Sequence, residues 1–351
     1  MLARDLKSIV KTISPALAGA TLPICNCVNF DEERIWSTNL EATIEVGCDV
    51  AGVVVSIPQK PLKALLSSID PKEDVELRSA DDSLIVRSPA GETTLSGLAV
   101  EDLPDTTLAD AIVSSAKIED GFADSFRAVA AAASKDQSRQ ILTGVFVEIA
   151  DGIISLSATD SYRLHHDEMA ASTDGVTEIV CPAAYIKALP GKEPVALDVT
   201  EGKVRLSEGS VTLTMRAIDG AFPSYRQLRP ASTPHQAVLG GRRSSLERTF
   251  KTCERLADKL GSSPQVSLDF SAGDSSVDVR LKLIDTGEHR CVLTLDDYVG
   301  DSLQIAFNPA FLREAIAFGG MELAMADALK PAVLTGSKDA RYALLMPVRL
   351  S

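Results

Sequence analysis

Over residues 141–164 apolar and polar positions alternate in two runs of the sequence ILTGVFVEIADGIISLSATDSYRL. Val145 and Val147 alternate with differently facing neighbours in the first run. In the second, Ile154, Leu156 and Ala158 alternate with Ser155, Ser157 and Thr159. A period of two marks a strand with one face buried. Asp151-Gly152 between the runs is a hairpin turn signal. Asp160-Ser161 closes the second run, and the chain restarts at Tyr162-Arg163-Leu164. The pattern predicts a β-hairpin of an antiparallel sheet leading into a corner, where Tyr162, Arg163 and Leu164 either form a small apolar pocket with a charged lip or leave Arg163 simply solvated.

Related patterns recur along the chain. IPQKPLKALL, CPAAYIKALP and FNPAFLREAI each run from a strand end through a proline into a short helix with an apolar pair and a cation. Leu62, Ile186 and Leu312 mark them at spacings of 124 and 126. Proline suits a first helical turn, where its missing N–H would be unpaired in any case. Residues 75–98 and 195–218, 120 apart, both read as three short strands with Asp or Gly turns. Leu103-Pro104, Phe222-Pro223 and Met346-Pro347 follow, with prolines 119 and 124 apart. Thr38-Asn39 and Thr159-Asp160, both at strand ends, are 121 apart. Helices predicted over 6–14, 122–134 and 246–260 open the copies. The chain thus divides into three repeats, 1–112, 113–232 and 233–351. The expected fold class is α+β, with antiparallel strands on one side of each repeat and two helices on the other.

Composition adds a boundary. Of 351 residues 45% are hydrophobic and 24% charged, an ordinary globular profile. No apolar run reaches the roughly 18 residues of a membrane span. The N-terminal stretch has no long apolar core or cleavage site, so a cytoplasmic protein without membrane contact is expected. The six cysteines form no C-x-x-C pair and read as reduced core thiols; no metal site and no cofactor is expected.

Charge is unevenly placed. The net charge is −14, which by itself opposes nucleic-acid binding. The predicted helices nevertheless sum to +10, leaving −24 for the rest. Arg4, Lys7 and Lys11 are spaced 3 and 4; Arg248, Lys251, Arg255 and Lys259 are spaced 3, 4 and 4, one face of a helix. The reading is a set of helices gathered on one positive surface, opposite a negative sheet surface.

TLPICN (21–26), the stretch 141–164, DGAFPSYRQLRP (219–230), LQIAFNPAFLREAI (303–316) and LLMPVRL (344–350) together resemble the bacterial DNA sliding clamp family, the beta subunit of DNA polymerase III holoenzyme. The resemblance implies a head-to-tail homodimeric ring of six domains around duplex DNA, helices inside and sheets outside. Its partners would be the polymerase III alpha subunit, the clamp loader, and other polymerases and repair proteins carrying clamp-binding motifs. It places a partner-peptide cleft at Leu142, Thr159, Tyr162, Arg163, Leu164, Pro223, Leu228, Pro331, Leu344, Met346, Pro347, Val348 and Arg349. It turns Arg4, Lys7, Lys11, Lys60, Lys63, Arg127, Lys135, Arg139, Lys187, Arg248, Lys251 and Lys259 towards DNA. It brings Thr93 and Leu95 of one chain against Arg255 and Leu256 of the next. Ser161-Tyr162 stands where the family often has glycine-histidine.

Two rival readings differ in class. An enzyme would use His165-His166, His235 or His289, but no H-E-x-x-H, P-loop, G-x-S-x-G or paired-carboxylate motif accompanies them. A clamp-like scaffold that binds partners without encircling DNA is opposed by the basic helices.

Overall fold

The computed structural model describes residues 1–17, 22–98, 111–261, 264–283, 287–336 and 340–349. Thr21, Leu103-Pro104 and Leu350 of the sequence motifs lie outside them. The first part of the chain runs α1 (Ala3–Ile13), β1 (Cys27–Asp31), β2 (Arg34–Thr38), β3 (Ala42–Gly47), β4 (Val54–Pro58), α2 (Gln59–Ser68), β5 (Glu76–Ala80), β6 (Ser83–Ser88) and β7 (Gly91–Ser96). Next come β8 (Ser114–Ile118), α3 (Phe122–Ala130), β9 (Gly144–Ala150), β10 (Ile153–Thr159), β11 (Arg163–Ala170), β12 (Ser172–Asp174), β13 (Thr177–Pro182), β14 (Val195–Val199), β15 (Lys203–Glu208) and β16 (Val211–Arg216). Last are β17 (His235–Leu239), α4 (Arg243–Leu260), β18 (Val266–Phe270), β19 (Ser276–Leu283), β20 (Gly287–Val299), β21 (Leu303–Phe307), α5 (Pro309–Phe318), β22 (Glu322–Met325), β23 (Ala332–Thr335) and β24 (Tyr342–Leu345).

Two compact units contain these elements. The first comprises Met1–Arg127, Val147–Ile154 and Ala170–Asp219. Its larger sheet has the order β12-β8-β14-β15-β16-β3-β2-β1-β4, and β5-β6-β7 forms a smaller one. α1 buries Ala3, Leu6, Val10 and Ile13, spaced 3, 4 and 3. Ser37 Oγ donates to the Ile13 carbonyl at 2.7 Å, fastening the helix end to β2.

The second unit comprises Ala128–Phe146, Ser155–Met169 and Gly220–Ser351. Its strands run β11-β24-β23-β22-β17-β20-β19-β18-β21. α4 buries Leu246, Phe250, Cys253 and Ala257 and stops at Gly261, whose φ of +63° is left-handed. α5 opens on Asn308, whose Oδ1 accepts the Ala310 N–H at 2.9 Å, with Pro309 in the first turn.

The hairpin over 141–164 forms as the alternation predicts, turning at Asp151 and Gly152 with φ of +49° and +79°. Its burial differs from the expectation. Ser155, Ser157 and Thr159 are buried along with Ile154, Leu156 and Ala158. The hydroxyls tolerate this because they are bonded: Ser157 Oγ lies 2.9 Å from His166 Nδ1, and Thr159 Oγ1 donates to the Arg163 carbonyl at 2.6 Å. Two helix predictions need correction. α3 stops at Ala130, short of Ser134. The second short helix is only a 3-10 turn, Ile186–Ala188, since Leu189 is extended and Pro190 follows.

Candidate functional site

The corner after β10 is built by two side chains. Thr159 Oγ1 accepts the Ser161 N–H at 3.1 Å, and Asp160 Oδ1 accepts the N–H groups of Tyr162 and Arg163 at 2.9 and 3.1 Å. The turn leaves Tyr162 62% exposed. β11 then pairs with β24, Leu164 opposite Leu344. One residue past β24, the Met346 N–H donates to the Tyr162 carbonyl at 2.9 Å. Pro347 has no N–H to continue the ladder. The tail is still held: Val348 N–H donates to the Ala306 carbonyl at 2.8 Å, and Gln265 Nε2 donates to the Arg349 carbonyl at 3.1 Å. Met346 therefore lies just outside the strand, which ends at Leu345.

The structure sorts the predicted cleft residues into surface and support. Tyr162, Leu228 and Met346 are exposed apolar side chains, with Pro347 and Val348 half-buried beside Met346 in sequence. Leu228 ends a 3-10 turn (Arg226–Leu228) preceded by buried Tyr225, whose ring lies 5.7 Å from His166. The Arg229 guanidinium sits over Tyr342, 5.1 Å from its centroid. Pro223 is exposed and Pro331 half-buried. Leu142, Thr159, Leu164 and Leu344 are buried.

Arg163 is also support. Its side chain is only 9% exposed. Nε pairs with Asp160 Oδ2 at 3.1 Å, Nη1 binds Glu314, and Nη2 donates to the Ala131 carbonyl at 2.9 Å. The charged lip belongs to others. Arg139 Nη1 donates to Ser161 Oγ at 3.0 Å, and exposed Arg229 and Arg349 lie in the segments of Leu228 and Val348. Arg229 could have been singled out by its adjacency to Leu228. Nothing local marks Glu314 as the partner of an arginine 151 residues away.

The neighbouring histidines are structural. His165 is 1% exposed, its Nδ1 is 3.0 Å from the Ala128 carbonyl oxygen, and its ring stacks on Phe318 at 4.3 Å. Burial pushes its pKa down to about 4. His166 lies between Ser157 and Glu168, and Asp167 binds Arg341.

The basic helices divide likewise. Lys7, Lys11 and Lys63 converge on one hollow of about 380 Å³ between α1 and α2. Lys7 Nζ also donates to the Ile69 carbonyl at 2.7 Å. Arg4, Lys60, Lys135, Arg139 and Lys187 are exposed. Arg127 is clasped, its Nη1 on Asp124 at 2.6 Å and its Nη2 on the Leu189 carbonyl. On α4, Arg248, Lys251, Arg255 and Lys259 are exposed. At about 100° per residue they fall opposite the buried face. Leu256 is half-buried on the flank of α4; Thr93 and Leu95 are half-buried on β7.

No helix among the described residues is long and apolar enough to cross a membrane. The family model of the DNA polymerase III beta subunit, central domain, matches residues 118–224. The beta sliding clamp of Synechococcus elongatus is 25% identical over 358 residues, covering 96% of this chain and 92% of its own. That of Streptomyces coelicolor is 28% identical over 366 residues, covering 96% and 93%. Among solved structures, the DNA polymerase III beta subunit of Thermotoga maritima superposes with a TM-score of 0.85 at 20% identity, covering 100% of this chain and 99% of its own. The DNA polymerase sliding clamp of Bacillus subtilis gives 0.86 at 19%, covering 100% and 98%. Residues 118–224 thus match the central domain of the DNA polymerase III beta subunit, and over nearly its whole length the chain is similar to bacterial beta sliding clamps and shares their fold.

Proposed function

We infer that this chain works as a beta sliding clamp, a non-catalytic ring that encircles duplex DNA and tethers the replicative polymerase. The three repeats are three clamp domains, 1–112, 113–232 and 233–351. The observation that carries the ring is a pairing rule within the chain. The third strand of one repeat's leading trio pairs with the last strand of the next repeat: β3 with β16, and β11 with β24. In the third repeat the corresponding strand is β20, and the last strand of the first is β7. Among the described residues β7 pairs only with β6, and residues 287–293 of β20 pair only with β19. Joining those edges between two copies makes a head-to-tail dimer, with Thr93 and Leu95 meeting the flank of α4 at Arg255 and Leu256. An open edge of this kind is a template for another strand.

DNA inside such a ring meets the lysines and arginines of the helices, which contact phosphates and read no sequence. The groove at Tyr162, Leu228, Met346, Pro347 and Val348 takes a short motif of glutamine, leucine and an apolar pair from the polymerase III alpha subunit, the clamp loader or repair proteins. Such apolar anchors in a groove are a recurrent peptide-recognition mode.

The test is topological. Protein loaded by a bacterial clamp loader on nicked circular DNA should stay bound, and should dissociate once the circle is cut. Equal retention on both would leave only the scaffold that does not encircle DNA. Replacing Arg248, Lys251 and Lys259 by alanine should also flatten the salt dependence of direct DNA binding, by about 0.9 in log–log slope for each phosphate that is no longer neutralised.

A further inference from the structure

The turn after β2 is a copy of the turn after β10. Thr38 Oγ1 donates to the Ala42 carbonyl at 3.1 Å and accepts the Leu40 N–H at 3.1 Å. Thr159 Oγ1 does the same with the Arg163 carbonyl at 2.6 Å and the Ser161 N–H at 3.1 Å. Asn39 Oδ1 accepts the N–H groups of Glu41 and Ala42 at 3.2 and 2.9 Å, as Asp160 Oδ1 accepts those of Tyr162 and Arg163. Leu40 and Ser161 both take left-handed φ, +74° and +81°.

The correspondence continues through the strands. Ala42 stands opposite Met215 where Arg163 stands opposite Leu345. One residue on, the Arg216 N–H donates to the Glu41 carbonyl at 2.8 Å, as the Met346 N–H donates to the Tyr162 carbonyl at 2.9 Å. Among the described residues the main-chain frame of the peptide groove therefore occurs twice. The β3–β16 copy is open, with a cavity of about 440 Å³ whose lining includes Leu40, Glu41, Glu201, Lys203, Met215 and Arg216.

The side chains differ at the two positions that matter most for an apolar ligand. Where one groove presents Tyr162 and Met346, the other presents Glu41 and Arg216, both exposed. An apolar anchor seated between them would displace water from two charges and offer them no hydrogen bond, which is unfavourable. Leu40, 42% exposed, already supplies an apolar wall, so the charges are the obstacle to such a ligand. Exclusion by unpaired charge is a common source of binding specificity.

We propose that Glu41 and Arg216 are specificity determinants that close the β3–β16 groove to the apolar clamp-binding motif, leaving each chain one peptide site. The proposal rests on the reading of the β11–β24 groove as the peptide site.

Titration calorimetry with a synthetic Gln-Leu-Ser-Leu-Phe peptide tests both and separates them. Wild-type protein binds one peptide per chain, and Met346→Glu abolishes that site. Glu41→Tyr with Arg216→Met raises the stoichiometry to two, and retains one site when Met346→Glu is added. The new site should lie within about thirtyfold of the native dissociation constant, the scale set by one anchor. Glu41→Leu with Arg216→Leu gives a second route to the same gain should the tyrosine variant fold poorly. The swap Glu41→Arg with Arg216→Glu keeps both charges and stays at one. A folded double variant that still binds one peptide, abolished by Met346→Glu, overturns the proposal. A wild-type chain that binds no peptide instead removes the reading of the β11–β24 groove, and the proposal with it.

Discussion

The guanidinium of Arg163 lies over the ring of Phe311, 4.4 Å from its centroid, and so joins the corner after β10 to α5. Asp160, Glu314 and the Ala131 carbonyl take its N–H groups in the same place. Arg163→Ala leaves Asp160 without its cation and Glu314 with Arg313 alone, 3.5 Å away. The expected loss is about 2–3 kcal/mol, below the full value for a buried pair because Glu314 is 30% exposed. Arg163→Lys should recover only part, since an ammonium lacks the planar fork. Urea unfolding of the three proteins checks this; a loss of peptide affinity at unchanged stability would show that Arg163 touches the ligand instead.

His165 makes stability depend on pH. Its pKa is about 4 in the folded chain, held below the ordinary 6.5 first by burial, with Arg163 and Arg341 also opposing its charge. The unfolded chain binds this proton near pH 6.5 and the folded chain only near 4. Stability is therefore full above about pH 6.5, falls as pH drops towards 4, and levels below. The contribution is roughly 3 kcal/mol. The difference between wild type and His165→Gln in unfolding free energy, measured at pH 7 and at pH 4.5, should narrow at the lower pH. A constant difference would mean that the imidazole titrates alike in both states.

Among the described residues β7 and residues 287–293 of β20 each have a strand on one side alone, which predicts a dimer that one residue can break. Leu256→Lys puts a charge into an apolar contact, and Leu95→Asp does so from the other side. Sedimentation should give a dimer for wild type at micromolar concentration and monomers for each variant, with unfolding unchanged within about 0.5 kcal/mol per monomer. A monomeric wild type would sink the ring.

The tail should separate binding from folding. β24 ends at Leu345, so deletion of 348–351 leaves that strand whole and loses the Val348 bond to Ala306 and the Gln265 bond to the Arg349 carbonyl, each worth about 1 kcal/mol. Fluorescence anisotropy of a labelled motif peptide should show binding abolished by deletion of 346–351 and strongly weakened by deletion of 348–351, with the dimer intact in the shorter deletion. Unchanged affinity there would make the tail structural only.

Much of the architecture was legible in the chain itself. Asp151-Gly152 and the alternation around it specify a hairpin because turn chemistry and side-chain period act over a few residues. Thr38-Asn39 and Thr159-Asp160 announced the same turn twice, since the hydrogen bonds that build it are made within four residues. The cationic stripe of α4 was readable for the same reason: the helix period carries Arg248, Lys251, Arg255 and Lys259 to one side whatever else the chain does.

The contents of the site were not readable in that way. Ser155, Ser157 and Thr159 are polar and were expected outside, yet β10 is covered on both faces, and their hydroxyls are satisfied by partners that only tertiary packing brings near. Arg163 looked like a lip residue because its neighbours in sequence are a turn and a tyrosine. Its burial depends on Glu314 and Phe311, which no local rule connects to it. The split between Tyr162 with Met346 and Glu41 with Arg216 likewise became visible only when β3 paired with β16 and β11 with β24. Local periodicity determined which elements form; long-range pairing decided which side chains face water, because burial is a property of what lands on a surface and not of the residue that bears it.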